Sequence, residues 1–582
     1  MALHQVSRPR GAPGLAASTA PQPTEHEIAL AESVEVYHRT YATLLRSSGE
    51  IQLRVFEQSH KAMGSSLHPL AASRELDLGA FLYAVRRLPE AMRHASRVVM
   101  GQSAEVFSQK GYGAVTDWPE VVAPGRRRRW YDDGDGTLAV LIASASDVDD
   151  LIPTMVAFQI EWNKLTLALR ASGIDNIAQS TPAECATALG GAEDDWLQLH
   201  EAWGVSFGQR LADIAGRDLA LRVRMLGGTQ VGYARVTRRW WQQVTGLMRS
   251  ESLLDRPTYF VSSNSHSISN LVTGVAQRRE AQLRDYVERS GSDELTAELE
   301  HSRGDAQGNL NNLLFYALRQ WGRSSNDGER AAQRREEREN GVFNVASRTA
   351  LDVSAQVIPL DRLNTANFDD RLGSVDNDVL RASRAVIINI DYPLGLAAYN
   401  ILREIAETAA DLRGVYILGK AATLNADVGD VMISSVVHDE HSGSTYWLDN
   451  AFSVDDIAPY LRFGSGLDNQ RAVSVKGTFL QNRGYLDFYY REAFTVVEME
   501  AGPYCSAVFE MTEAQRYPIG EPVNFSKLPI DFGVIHYASD TPFTQARTLG
   551  ARGLSYFGMD STYASSVAIL RRVLSREGAL SG

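Results

Sequence analysis

Apolar residues recur at three- and four-residue spacings from about residue 26 to residue 325. IALAESVEVYHRTYATLLRSSGEIQLRVFEQ, DLGAFLYAVRRLPEAMRHASRVVM and DVDDLIPTMVAFQIEWNKLTLALRAS each put an apolar stripe on one helical face. The spacing continues through RRWWQQVTGLM and NLNNLLFYALRQWG. It predicts a mainly α-helical region of undefined role over 26–325. No fixed repeat period stands out, which argues against a solenoid. SSNDGERAAQRREERENG is strongly charged and places a linker at 326–342. Beyond it the pattern changes. AVIINI, GVYIL, GDVMISSVV, AVSVKGTFL, FTVVEME and FGVIHYAS are short apolar runs rich in β-branched residues. Helical stretches such as LAAYNILREIAETAADL and GPYCSAVFEMTEAQ separate them, and STYASSVAILRRVLSRE closes the chain. Strands alternating with helices predict an α/β domain over 343–582, a mixed central sheet flanked by helices.

Composition narrows the partners. The chain has 582 residues, more than one core accommodates, and a net charge of −13 that argues against a nucleic-acid partner. Residues 1–25, rich in Pro, Ala and Ser, read as a disordered tail without the apolar segment of a signal peptide. No apolar run reaches membrane-spanning length, so no membrane partner is expected. Two cysteines, Cys185 and Cys505, build neither a disulfide framework nor a metal cage, and a reducing cytoplasm fits. The basic run Arg126–Arg129 precedes WYDDGDG and reads as a locally neutralised loop.

Chemistry concentrates near the C-terminus. The strand TVVEMEA ends in Glu498 and Glu500, which alternation along a strand puts on one face. Two acids ending an apolar strand are costly unless they bind something. A second apolar strand, FGVIHYASD, ends in Ser539-Asp540. Carboxyl ends of strands in open α/β sheets are where ligand chemistry gathers. The cluster His438-Asp439-Glu440-His441 lacks the spacing of a helical zinc motif, and no metal is expected there.

Read in order, AVIINIDYPLGLAAYNILREI, VYILGKAATLNADVGDVMI, VKGTFLQN, VVEMEA and the strand ending in Asp540 resemble the nucleoside phosphorylase/nucleosidase superfamily. The resemblance spans about 385 to 575 and implies a phosphorylase-like catalytic domain. It implies cleavage of the N-glycosidic bond of a purine nucleoside or nucleotide. Asp540 matches the acid that protonates the leaving base, with Arg547 or Arg552 placed to assist it. Glu500 matches the acceptor for the ribose hydroxyls and Met499 its apolar companion, with Glu498 in support. Phe479 or Leu480 would contact the base. Gly395 matches a glycine turn entering a helix. Gly419 and Lys420 match the loop that holds phosphate or a ribose 5′ group, and His438 a substrate contact. The loop here is Gly-Lys-Ala-Ala, and Ile417 and Leu418 stand where phosphorolytic members carry an arginine. That departure favours hydrolysis, with phosphate a co-substrate only for a phosphorylase and no other cofactor. A nucleosidase needs a base for water on a first strand expected between 342 and 384, where Asp352 and Asp361 are the candidates. A homo-oligomer is implied. A catalytically altered nucleotide-binding or signalling protein is the competing reading.

Overall fold

The computed structural model describes residues 25–47, 49–290, 292–302, 308–513, 519–541 and 556–580. The mainly helical N-terminal region predicted from periodicity carries a six-stranded sheet instead. Its strands are β1 (Glu50–Gln52), β2 (Arg97–Gly101), β3 (Glu120–Val121), β4 (Trp130–Asp132), β5 (Thr137–Leu141) and β6 (Arg222–Leu226), in the order β1-β6-β2-β5-β4-β3. β2 runs parallel to both β5 and β6. β5 is five residues long and wholly buried, so it lacks the alternation that marks a half-exposed strand. It leads into the long helix Ala145–Ala171, opened by a Ser144/Asp147 capping box and buried along most of its length.

The second sheet has eleven strands. They are β7 (Thr258–Ser263), β8 (Phe343–Val345), β9 (Ala355–Pro359), β10 (Val386–Asp391), β11 (Leu412–Thr423), β12 (Val431–Asp439), β13 (Ser444–Leu448), β14 (Gly466–Ser474), β15 (Val496–Glu498), β16 (Pro522–Phe525) and β17 (Asp531–Asp540). β10, β7, β11 and β17 are parallel neighbours in that order. β17 also pairs with β12, so β12, β14, β15, β11 and β17 close into a ring.

β7 changes the expected layout. It lies between β10 and β11 but comes from the stretch assigned to the helical region, so the sheet does not begin after a linker at 326–342. That charged stretch is largely a helix, Asp327–Glu339, capped by Asn326 and Glu329 and tied down by Arg278 and Arg279 on Glu336. Alternation along the inner strands serves two cores. Ile388, Val415 and Ile417 face the helices Ala397–Thr408 and Ala501–Thr512, while Ile387, Tyr416 and Leu418 face the helix Tyr556–Arg576. Among the described residues no helix is long and apolar enough to cross a membrane.

Candidate functional site

The carboxyl ends of β10, β11 and β17 and the end of β15 converge, as expected for ligand chemistry in such sheets. Asp540 closes β17. Ala421 pairs with Ala538 and Ala422 with Asp540, which leaves Ser539 as the extra residue of a bulge, its hydroxyl donating to the Ala421 carbonyl at 3.2 Å. Such a bulge re-aims the side chain that follows it. Asp540 is fully buried and accepts the Thr541 N–H at 2.8 Å. On the other side of β11, Ala422 pairs with Val497 of β15. Asp540 and the Glu498–Glu500 segment therefore flank one strand, about 10 Å apart at two strand spacings.

The two glutamates differ in surroundings. Glu498 is buried and accepts the N–H groups of Glu500 and Ala501 at 2.6 and 2.7 Å and the Ser474 hydroxyl. Burial and then the charge of Glu500 raise its pKa, against those donors. His536, 3.9 Å away, supplies no cation, because burial pushes its pKa down to about 3. Glu500 is only half-buried and accepts the Gly395 N–H at 3.1 Å. Burial raises its pKa too, offset by that N–H and by Arg126 and Lys420. Met499 packs against the small apolar cluster of Val473, Val475, Leu486 and Tyr489.

Gly395 is where the two halves of the chain meet. Its φ of +52° is left-handed, and a Cβ there would lie 2.2 Å from Ser146 Oγ. The Leu396 N–H donates to that same hydroxyl at 2.9 Å. The Arg126–Arg129 run lies beside it, and its neutralising acids are not those of WYDDGDG. Arg126 grips Asp150 through two hydrogen bonds of 3.1 and 2.9 Å, and Arg128 pairs with Asp147 and Asp150 at 2.7 and 2.8 Å. Arg127 pairs with Asp391 at 2.9 Å and donates to the Tyr392 carbonyl at 2.6 Å. Lys420 points into this neighbourhood. Burial, then Arg87, Arg126 and Arg127, push its pKa down to about 8, and Glu500 acts the other way.

Several expectations change. Gly419 and Lys420 lie inside β11, paired with His536 and Tyr537, so they form no anion-cradling turn. Phe479 and Leu480 are buried in the N-terminal core, where Phe479 packs 5.1 Å from Tyr83 and 5.8 Å from His60. Periodicity could not show that this core reaches across to residue 479. His438 lines a separate cavity of about 230 Å³ with His38, Glu440, Lys476 and Tyr489. Its Nδ1 contacts Thr445 Oγ1 at 2.9 Å, and burial lowers its pKa. The 342–384 stretch holds β8 and β9, outside the parallel core, and Asp361 pairs with Arg256. The inner strand β7 ends in Ser263-Asn264-Ser265-His266, without a glutamate. Arg547 and Arg552 lie outside the described residues. The place of Ser146, Arg126 and Arg127 at the site was not foreseen, since nothing local in the sequence marks the pairing of Arg126 with Asp150 or of Arg127 with Asp391.

Solved structures with distant likeness include three enzymes. The 5′-methylthioadenosine/S-adenosylhomocysteine nucleosidase of Neisseria meningitidis, in complex with methylthio-immucillin-A, is 15% identical over 42% of this chain and 94% of its own, at a TM-score of 0.26. The Colwellia psychrerythraea enzyme of the same name, in complex with adenine, is 9% identical over 54% and 96%, also at 0.26. Uridine phosphorylase of Schistosoma mansoni, in complex with thymidine, is 11% identical over 57% and 91%, at 0.28. Likeness at this level fixes no chemistry for this chain. No curated protein matches it. The profile of the family of unknown function DUF6909 matches residues 53–575, nine-tenths of the chain, and the chain belongs to that family.

Proposed function

We propose that this protein cleaves the N-glycosidic bond of a purine nucleoside or nucleotide, by hydrolysis in preference to phosphorolysis. The observation that carries the reading is Glu500, a half-buried carboxylate at the sheet's carboxyl end, fixed by the Gly395 N–H and flanked across β11 by Asp540. An ionised carboxylate only accepts hydrogen bonds and suits a ribose diol. Asp540 is fully buried, and burial suits an acid that protonates a leaving base. Ile417 and Leu418 before Lys420 leave no arginine there for phosphate, which supports water as nucleophile. A homo-oligomer belongs to the same reading on the sequence resemblance, and a cytoplasmic setting on the cysteine count.

Two observations favour a second reading, a nucleotide-binding protein without turnover. Gly419 and Lys420 are committed to the β11–β17 ladder, and the end of β7 carries no glutamate to act on water. Incubation with a panel of purine nucleosides and nucleotides, with and without phosphate, separates the two. Free base released at a phosphate-independent rate supports the nucleosidase. Ribose 1-phosphate would mean phosphorolysis, and tight binding without base release would mean the second reading.

A further inference from the structure

A cavity of about 270 Å³ opens at the carboxyl end of β7, between that strand's last turn and the helices Gly308–Ser324 and Asp327–Glu339. Arg319, Arg330 and Arg334 line it, against one acid, Glu337. That acid is occupied, accepting the Gln333 amide at 2.9 Å and the Asn344 amide at 2.6 Å. Arg330 pairs with Asp327 at 2.7 Å. Arg319 differs, because its Nη1 is buried and meets no hydrogen-bond acceptor among the described residues. A buried guanidinium N–H left unmade costs more than an ordinary missing bond, and an acceptor bound in the cavity would relieve that cost.

His266 adds a second donor on the same wall. Its Nδ1 lies 3.1 Å from the Tyr563 hydroxyl, which already accepts the Asn270 amide at 2.6 Å. In the tautomer in which the hydroxyl gives its proton to Nδ1, the imidazole proton sits on Nε2. Burial, with Arg319 and Arg323 nearby, pushes the His266 pKa well below its usual value and keeps the ring neutral. The wall is therefore rich in donors and positive charge. Several acceptor oxygens carrying more than one negative charge match it, and planar guanidinium forks suit phosphoryl oxygens in particular.

We propose that this cavity binds a phosphoryl group, with Arg319 as its principal ligand and His266 and Arg334 as further donors. The cations come from the helix pair and the end of β7, not from the Gly419–Lys420 segment. The cavity borders the candidate site through Asp391, which accepts the Ser265 N–H at 2.7 Å and pairs with Arg127. The phosphoryl group can be free orthophosphate or the ester of a sugar phosphate. The inference goes beyond the glycosidic reading, and its test needs no turnover.

The test is calorimetric titration of the full chain with orthophosphate and, separately, with ribose 5-phosphate, at fixed ionic strength in chloride. Saturable binding of either compound is expected, at least tenfold weaker in Arg319→Gln. Preference for the free ion or for the ester identifies the source. Arg334 is exposed, so Arg334→Gln should fold as the wild type and bind several-fold more weakly. If Arg319→Gln does not fold, weakened binding by folded Arg334→Gln sustains the proposal. Absence of binding by the wild type, or wild-type affinity in the folded variants, overturns it.

Discussion

Gly395 donates its N–H to Glu500 Oε1 at 3.1 Å, joining the loop after β10 to the acid after β15. The loop also leans on Ser146, so the acid is positioned from both halves of the chain. Gly395→Ala combines a left-handed φ of +52° with a contact of 2.2 Å to Ser146 Oγ. We expect a stability loss of about 1–3 kcal/mol by urea denaturation. Base release should fall further than the residual folded fraction accounts for.

Glu498 should make stability depend on pH. Burial and Glu500 raise its pKa in the folded chain above the ordinary glutamate value of about 4.5. The native state then holds a proton that the unfolded chain gives up, so this group's contribution is fully present below about 4.5 and is lost as pH rises through the raised value. Glu498→Gln keeps an acceptor for the two backbone N–H groups and carries no charge. Its melting temperature should therefore fall less than the wild type's between pH 5 and 8, as differential scanning calorimetry would show. Parallel curves would mean that Glu498 is already ionised.

Lys420 gives two opposite slopes. With its pKa pushed down to about 8, it loses its charge as pH rises through that value. An anionic substrate should bind more weakly above pH 8, read as a rising KM. Stability should move the other way, improving from about pH 8 toward the unfolded pKa, because the unfolded chain keeps its proton there. Lys420→Met should flatten both profiles and raise KM at pH 7 by about tenfold or more, the scale of a lost charge-assisted bond.

Asp150 holds two arginines, Arg126 through two hydrogen bonds and Arg128 at 2.8 Å. Asp150→Asn takes the counter-charge from Arg126 and leaves Arg128 with Asp147 alone, in a largely buried place. The expected cost is about 3–5 kcal/mol in chemical denaturation. Pairing it with Arg126→Met should recover part of that loss, because one uncompensated charge is then removed.

The sequence was most legible where side-chain chemistry and local pattern coincide. VVEMEA ends a strand and opens a helix, and Asp540 ends a neighbouring strand of the same ring. Burial on both faces hid β5, and β7 was lost among helical stretches far from the strands it joins. Lys420 was legible as a residue type but not in its setting, since GKAA reads as a turn and folds as extended strand. Phe479 was read as a contact to the base, whereas its partners Tyr83 and His60 come from some 400 residues earlier. Pairings across such separations leave no local trace, and for that reason the place of Ser146, Arg126 and Arg127 at the site emerged only with the structure.

The central claim is that Glu500 and Asp540 form a site that breaks an N-glycosidic bond. Its most direct test is single-turnover release of adenine from adenosine and AMP by the wild type, Glu500→Gln and Asp540→Asn, each with nucleoside affinity measured in parallel. The account predicts base release by the wild type without added phosphate. It predicts a fall of roughly a hundredfold or more in Asp540→Asn with affinity little changed, the usual scale for a general acid. It predicts weakened binding in Glu500→Gln. Nucleoside binding with no base release by the wild type, or wild-type turnover in Asp540→Asn, would contradict it.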